Sequence, residues 1–192
     1  MKFIIQLIAS CALLTGATVS LSAQSGCMAQ SGATRAPVIE LYTSEGCSSC
    51  PPADKWLSSL KTFGAEKGAG NGITNAAVVQ AFHVSYWDYI GWVDRFASPA
   101  YTTRQRQQAA LGGQSTIYTP QAVLNGRDWR DWDGATGRLP ASKEPAGASI
   151  SLRQVADDQF EATVTPALGS SRKWSAYWTL TEHGHSSKVK SG

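Results

Sequence analysis

Two cysteines close together in the sequence carry the clearest chemistry of this chain. Cys47 and Cys50 are separated by two serines and followed by two prolines. Two thiols at this spacing can close a disulfide, exchange with another disulfide, or bind a metal ion together with further ligands. The remaining cysteines, Cys11 and Cys27, lie far from this pair in the sequence.

The residues after the pair have the periodicity of a helix. Apolar side chains recur at i, i+3, i+4 and i+7, namely at Ala53, Trp56, Leu57 and Leu60. A helix N-terminus favours a thiolate through its dipole and its free N–H groups. We therefore expect Cys47, the more exposed of the two, to be the nucleophile and Cys50 to be the resolving thiol.

The immediate neighbours of the pair limit this activation. Pro51 and Pro52 have no N–H to donate to a sulfur anion, and Glu45 brings a negative charge close by. No Lys, Arg or His flanks the motif. We expect a mildly lowered thiol pKa and a weakly oxidising pair.

The elements around the pair predict an α/β fold. A strand, a loop with both cysteines, a helix, a second strand, a second helix and a hairpin follow one another, in the order of a thioredoxin fold. The markers are a strand over 37–43, an apolar strand within 75–84, a helix from Ser98-Pro99 to Gly112-Gly113, a strand over 121–124 and an Asn125-Gly126 turn.

Three motifs in this order resemble a known family. They are Cys47-Ser48-Ser49-Cys50-Pro51-Pro52-Ala53-Asp54, His83-Val84-Ser85-Tyr86-Trp87-Asp88 and Tyr118-Thr119-Pro120-Gln121. Together they resemble the DUF1223 family of mostly exported bacterial proteins with a thioredoxin-like fold and no settled activity. The resemblance is strongest from Pro37 to Arg127. Members are longer at the C-terminus, which implies that this chain stops inside a hairpin.

Thr119-Pro120 has a role that this fold implies. In thioredoxin-like proteins the proline that opens this strand is cis, lies against the cysteine pair and lets a substrate backbone pair beside it. We therefore expect a cis bond, although such bonds are rare. Thr119 and Pro120 are expected to bind the substrate.

Three functions remain open for the cysteine pair. The first is thiol–disulfide exchange with a protein or a small thiol or disulfide, which needs no cofactor. The second is a structural Cys47–Cys50 disulfide in a non-catalytic module. The third is a copper or zinc site that adds His83, His183 or His185, although His83 at a strand end is more often a satisfied core residue.

Four aromatic residues follow the second strand: Tyr86, Trp87, Tyr89 and Trp92. We expect them to form a lid of core side chains. The alternative is a rim that contacts a peptide substrate.

The C-terminal part predicts a β-rich segment. Apolar residues alternate at Ile150 and Leu152, from Phe160 to Val164, and from Trp174 to Leu180, which indicates three half-buried strands. We expect a thioredoxin-like domain over 36–133, a linker over 134–148 and an incomplete, sandwich-like β-rich segment over 149–192.

The first residues predict export. Lys2 precedes an apolar stretch that ends in small residues, which is typical of a signal peptide over 1–29 with cleavage near Ala23 or Ala29. Polar interruptions make a membrane anchor the weaker reading. A lipoprotein with Cys11 as the lipidated residue is a further alternative. We expect a periplasmic or secreted protein that contacts the membrane only through this segment.

Composition excludes some partners. Hydrophobic residues make up 42% of the chain and charged residues 16%, which is enough apolar content for a packed core. The formal net charge is +3, and the basic residues are scattered. A surface that tracks nucleic-acid phosphates is not expected.

Overall fold

The computed structural model describes residues 2–5, 28–60, 73–74, 77–134, 142–169 and 174–190. They form two sheets and two α-helices, a mixed α/β structure. Neither helix among these residues has the length and apolar character to cross a membrane. Most of the predicted signal peptide lies outside the described residues; its Lys2–Ile5 is strand β1 and Met28–Ser31 is strand β2.

The chain divides into two compact units. One unit, called here the disulfide unit, holds both cysteines of the pair, and the other is called the β unit. The disulfide unit comprises Ala36–Glu66, Ala76–Ser142 and Lys173–Gly192; the β unit comprises Met1–Arg35, Lys67–Asn75 and Lys143–Arg172.

A four-stranded mixed sheet forms the centre of the disulfide unit. Its strands are β3 (Val38–Thr43), β5 (Val78–His83), β6 (Gln121–Leu124) and β7 (Arg127–Asp128). The order is β5-β3-β6-β7, with β3 parallel to β5 and antiparallel to β6. Strand β3 lies between β5 and β6, and five of its six residues are buried, the polar Glu40 and Thr43 among them.

The hairpin between β6 and β7 follows from its turn residues. Asn125 has φ 51° and Gly126 has φ 79°, the left-handed conformations that a two-residue turn requires. The Asn125 side chain also accepts a 2.9 Å hydrogen bond from the Val38 N–H. The predicted turn is confirmed, and its short return strand pairs in register with β6.

Both predicted helices are confirmed, with local sequence setting their ends. Helix α1 (Pro51–Leu60) begins directly after Cys50. Helix α2 (Pro99–Leu111) begins with proline at its first position, and the Ser98 hydroxyl accepts from the Ala100 N–H at 3.3 Å. The loop after β5 that holds Tyr86, Trp87, Tyr89 and Trp92 is called here the aromatic loop, and it contains a 3₁₀ turn, Asp88–Ile90.

Apolar side chains of the sheet and α1 form the core of the disulfide unit. Ile39, Leu41 and Leu57 are among those that are 5% exposed or less. Trp56 packs partly buried against them, with Trp129 and Trp132 around its ring. The face of α1 that packs on the sheet is therefore the one that the helical periodicity predicts.

A second sheet makes up the β unit. Its strands, in the order β1-β9-β8-β2-β4, include β4 (Ile73–Thr74), β8 (Ala148–Ala156) and β9 (Gln159–Pro166). Strands β8 and β9 form a long antiparallel hairpin. These two confirm the first two strands that the alternating pattern predicts in the C-terminal part.

The third strand of that prediction is wrong. Residues 174–190 form no helix or strand, although the sequence alternates from Trp174 to Leu180. This segment is held by side chains of its own unit instead: Arg104 Nη2 donates to Tyr177 Oη at 3.0 Å, and its guanidinium lies 4.7 Å from the Tyr177 ring centre. Alternation yields a strand only where a neighbouring strand supplies hydrogen bonds.

Only part of the predicted linker, residues 134–148, is described by the structure. Residues 135–141 lie outside the described residues, and Ala148 is already the first residue of β8. Thr34 forms an isolated antiparallel bridge with Pro145 in the β unit. The boundaries at 36–133, 134–148 and 149–192 stay a prediction.

Candidate functional site

The cysteine pair lies in the turn between β3 and α1. The Cys47 N–H donates to the Ser44 carbonyl and the Cys50 N–H to the Cys47 carbonyl, both at 3.1 Å. This turn brings the two Cα atoms to 5.4 Å, and the sulfurs are bonded at 2.12 Å. The predicted Cys47–Cys50 disulfide is present in the structure.

Both cysteines are almost completely covered. Cys47 is 2% exposed and Cys50 0%, so the difference in exposure expected from their order in the sequence is negligible. The aromatic loop comes close to the turn: a Cβ added at Gly46 would lie 3.3 Å from the Cβ of Trp87 and 3.4 Å from the Trp92 carbonyl oxygen. Glycine at position 46 therefore permits the loop to approach the cysteine turn.

Thr119 is next to the disulfide. Its hydroxyl donates to Cys47 Sγ at 3.3 Å, and it accepts a 2.7 Å hydrogen bond from the indole N–H of Trp87. The Thr119-Pro120 bond is cis, as predicted. The structure thus brings Thr119 together with Cys47, and Trp87 joins them. The expected role of Thr119 and Pro120 in substrate binding stays a prediction.

A network of side-chain amides holds the segment that carries Thr119. Gln105 is 1% exposed, and its Nε2 donates to the Tyr118 carbonyl and to Gln121 Oε1, both at 2.8 Å. Gln121 Nε2 and the Tyr118 hydroxyl both donate to Asp128 Oδ1, at 3.0 and 2.7 Å. The residues on either side of Thr119-Pro120 are therefore anchored to α2 and β7.

These contacts displace two pKa values. Burial, followed by the hydrogen bond to Asp128, raises the pKa of Tyr118 to about 12. Burial would raise the pKa of Asp128 as well, but the hydrogen bonds from Gln121, Tyr118 and Arg130 hold it below its ordinary value. Asp128 therefore acts as a charged acceptor near neutral pH.

A second polar cluster adjoins the other end of the cysteine turn. His83 Nδ1 and Asp94 Oδ2 are 2.6 Å apart, and the same Asp94 oxygen accepts the Glu45 N–H at 2.8 Å. Glu45 itself accepts from the Trp92 indole at 2.8 Å, so its carboxylate is engaged by the aromatic loop. In α1, Asp54 accepts the Thr43 hydroxyl at 2.7 Å.

The titration of this cluster is set by burial and by its own charges. Burial lowers the pKa of His83, but the hydrogen bond and charge of Asp94, with the charges of Asp54 and Glu45, raise it above its ordinary value. Burial raises the pKa of Asp94, yet its hydrogen bonds from His83 and from two backbone N–H groups bring it below normal. Asp54 has a raised pKa, chiefly through burial.

The four aromatic residues of the loop have different environments. Tyr86 and Trp87 pack against the buried cluster of Tyr42, Phe82, Val84 and Val123, which confirms the core reading for these two. Tyr89 is 83% exposed. The lid is therefore only partly made of core residues.

Two of the three histidines named for the metal alternative, His83 and His185, have carboxylate partners in the structure. No group of three or more His, Cys, Asp and Glu side chains that could hold a metal ion occurs within the described residues. His83 Nδ1 lies within hydrogen-bond distance of Asp94 Oδ2, at 2.6 Å, and His185 Nε2 lies 2.8 Å from Glu182 Oε2. Both sulfurs are joined to each other in this structure rather than directed to a histidine.

Sequence reasoning missed the role of Trp87, the Asp94 contacts and the buried Gln105. An amphipathic pattern does not mark a buried glutamine, because its polarity suggests the exposed face. For Trp87 and Asp94 the only available signal was their position in the loop that follows a strand next to the cysteine strand.

Comparison with known proteins gives one family and one structure. A family profile described as "Protein of unknown function (DUF1223)" matches residues 38–192. A crystal structure of a structural genomics target from Agrobacterium tumefaciens is 42% identical in sequence, with a TM-score of 0.39. That match covers 50% of this chain and 39% of the other, so the chain matches well under half of that protein's length. No curated protein matches.

Proposed function

This chain belongs to the DUF1223 family, and we propose that it is an exported thioredoxin-like thiol–disulfide oxidoreductase acting through Cys47 and Cys50. The observation that carries the proposal is the disulfide at the start of α1 with the Thr119 hydroxyl donating to one of its two sulfurs. A donor directed at Cys47 alone makes the two sulfurs chemically different. That difference favours one sulfur for attack and leaves the other to resolve the mixed disulfide.

The topology of the disulfide unit supports the thioredoxin-like part of the proposal. Two parallel strands, β3 and β5, are joined through α1, and an antiparallel hairpin follows α2. The cysteine turn follows β3, which lies between β5 and β6 in the sheet. The segment that contains Thr119 leads into β6, the antiparallel neighbour of β3.

The proposed reaction is an exchange that balances without a further reactant. A substrate thiolate attacks Cys47 Sγ, the Cys47–Cys50 bond breaks, and the Cys50 sulfur leaves as a thiolate that takes up a proton. The second thiol of the substrate then loses its proton and attacks the substrate sulfur of the mixed disulfide, which expels Cys47. The substrate dithiol becomes a disulfide, and the pair becomes a dithiol; the reverse sequence reduces a substrate disulfide.

The burial of both sulfurs favours a second candidate, a structural disulfide in a non-catalytic module. A side chain that is 2% exposed must become accessible before a macromolecular thiol reaches it. A purely structural disulfide needs no such access and is resistant to reduction. The two candidates therefore differ in potential and in covalent trapping.

The test is to equilibrate the protein with glutathione buffers and to isolate covalent adducts of Cys50→Ser. Exchange predicts a potential above about −300 mV and mixed disulfides on Cys47. The control is Cys47→Ser/Cys50→Ser, which should form none. A potential below about −300 mV without adducts would assign the pair to structure. Export is tested separately, by fractionating an expressing cell and sequencing the N-terminus of the protein. Protein in the periplasm or medium that begins after Ala23 or Ala29 is the expected result, and protein that keeps Met1 and stays in the cytosol would contradict export.

A further inference from the structure

Trp87 is the first donor in a chain of two hydrogen bonds that ends at Cys47. Its indole N–H donates to Thr119 Oγ1 at 2.7 Å, and the Thr119 hydroxyl donates to Cys47 Sγ at 3.3 Å. An indole nitrogen is only a donor, so the Thr119 oxygen must be the acceptor in the first contact. The hydroxyl proton is therefore left for another acceptor.

Two acceptors compete for that proton. One is Cys47 Sγ. The other is the Tyr86 oxygen because, against the larger effect of burial, a hydrogen bond from Thr119 is among the causes that lower the pKa of Tyr86. The Tyr86 hydroxyl itself donates to Gln105 Oε1 at 3.2 Å. In the disulfide, sulfur is a weak acceptor. In the reduced protein a Cys47 thiolate carries a full charge, and charge-assisted hydrogen bonds are about twice as strong as neutral ones.

We propose that Trp87 is a positioning residue that holds the Thr119 hydroxyl towards Cys47 and thereby stabilises the Cys47 thiolate of the reduced pair. This inference rests on the proposed exchange function for its biological meaning. It extends that function by naming a group that, together with the Ser49 hydroxyl 3.5 Å from the same sulfur, compensates for the missing N–H groups of Pro51 and Pro52. The contact stabilises the dithiol form more than the disulfide, so it makes the pair more oxidising.

The packing of Trp87 makes this orientation persistent. The side chain is partly buried against the cluster that includes Phe82 and Val84, and its Cβ would be 3.3 Å from a Cβ at Gly46. Tyr118 and Gln121, on both sides of the Thr119-Pro120 segment, are held by Gln105. Donor and acceptor are thus fixed from two independent elements, the aromatic loop and the segment before β6.

The experiment is a double-mutant cycle with Trp87→Phe and Thr119→Val, using the reduced full-length protein. The thiolate fraction of Cys47 at neutral pH is measured from the pH dependence of its alkylation rate. Thr119→Val should lower this fraction about tenfold, as expected for loss of a hydrogen bond to a charged group.

Trp87→Phe should lower the thiolate fraction several-fold when Thr119 is present and leave it unchanged in the Thr119→Val background. An equal effect in both backgrounds would show that Trp87 acts through packing and overturn the proposal, as would an unaltered fraction in Thr119→Val. Trp129→Phe is the control, because it removes an indole that packs in the other core cluster. Its thiolate fraction should equal that of the unsubstituted protein.

A second measurement does not require a substitution of Trp87. The indole N–H resonance of Trp87 should shift with pH as Cys47 titrates in the reduced protein, and this shift should vanish in Thr119→Val. A resonance that ignores the Cys47 titration overturns the proposal. Failure of the exchange function itself would appear elsewhere, as a potential below about −300 mV without covalent adducts, whatever the outcome of the cycle.

Discussion

The disulfide unit and the β unit bury very different shares of their apolar side chains. Leu41 in β3 is 0% exposed, whereas Leu152 in β8 is 40% and Ile150 49% exposed. Among the residues whose side-chain burial is described (28–60, 77–134, 142–169 and 174–190), every fully buried apolar side chain belongs to the disulfide unit. Its sheet is contacted by α1 and α2, while no described helix belongs to the β unit.

A strand pattern and a buried core are separate properties. The alternating Ile150 and Leu152 lie in a strand because β9 supplies hydrogen bonds along most of the length of β8. Burial needs an element that packs on the face of the sheet. In the disulfide unit the sequence encodes such elements, because α1 follows β3 directly and α2 follows β5.

Charged residues show the same contrast. In the disulfide unit, Arg104 Nη2 binds Glu40 Oε1, and the Glu40 side chain is only 3% exposed. In the β unit, Arg153 and Glu161 form a pair at 3.1 Å with 58% and 22% of their side chains exposed. Solvent screens the second pair, whereas the first must compensate the cost of burying a carboxylate.

Optical probes separate the two units. All seven tryptophans and all six tyrosines of the chain are in the disulfide unit. Tryptophan fluorescence therefore reports the unfolding of that unit, and far-UV circular dichroism follows the strands of both. The predictions below use both signals to challenge the contrast in burial.

The largest effect is expected from Arg104→Met. The substitution keeps an apolar stem near the Phe82 ring. Among the described residues it leaves the buried Glu40 carboxylate with only the Tyr42 hydroxyl, 3.1 Å away. We expect the free energy of unfolding to fall by about 3–5 kcal/mol. Urea denaturation followed by tryptophan fluorescence measures this loss.

Two further variants serve as controls for Arg104→Met. Glu40→Gln/Arg104→Met removes both charges and should recover part of the loss. Arg153→Met, followed by circular dichroism, should change stability by less than about 1 kcal/mol. Equal losses in Arg104→Met and Arg153→Met would contradict the contrast between the two pairs.

The next effect is expected from one substitution made in both units. Leu41→Ala opens a cavity in the core and should cost about 2–5 kcal/mol of unfolding free energy. Leu152→Ala removes a side chain that is 40% exposed and should cost less than about 1 kcal/mol. Denaturation by urea, recorded with both optical signals, compares them. A large loss for Leu152→Ala would mean that the β unit depends on a core of its own.

The smallest effect concerns His83 and Asp94, whose displaced pKa values belong to the disulfide unit. A raised His pKa gives stability that is complete below the ordinary value of about 6.5 and is lost as pH rises through the folded value. A lowered Asp pKa gives stability that is present above about 3.9 and is lost as pH falls through the folded value. Between these limits both contributions are present.

His83→Gln should therefore lower stability most between about pH 4 and 6.5 and least at alkaline pH. Denaturation midpoints across this range, compared with the unsubstituted protein, measure the difference. His185→Gln is the matched control, because its partner Glu182 has 73% of its side chain exposed. A loss for His83→Gln that is constant with pH would mean that the ring contributes through packing against Phe96 instead.

Local sequence determined much of the disulfide unit. The cysteine spacing, the apolar face of α1, the Ser98-Pro99 start of α2 and the Asn125-Gly126 turn depend on interactions within a few residues. Such features can be predicted from sequence because the residues that cause a helix end or a turn are next to it in the chain. Of the four predicted site residues, Cys47, Cys50 and Thr119 lie together in the structure, and Thr119, like Pro120, is expected from the resemblance to thioredoxin-like proteins.

Tertiary structure alone decided the rest. Trp87 meets Thr119 across 32 residues and Asp94 meets Glu45 across 49, so no local pattern could pair them. The burial of Cys47 depends on how the aromatic loop packs, and the strandless segment 174–190 depends on which side chains it meets, Arg104 among them. The sequence determines which groups can donate hydrogen bonds, be buried or pair. The partners of each side chain depend on how distant elements pack, and the free energy of that packing is a sum over the whole unit.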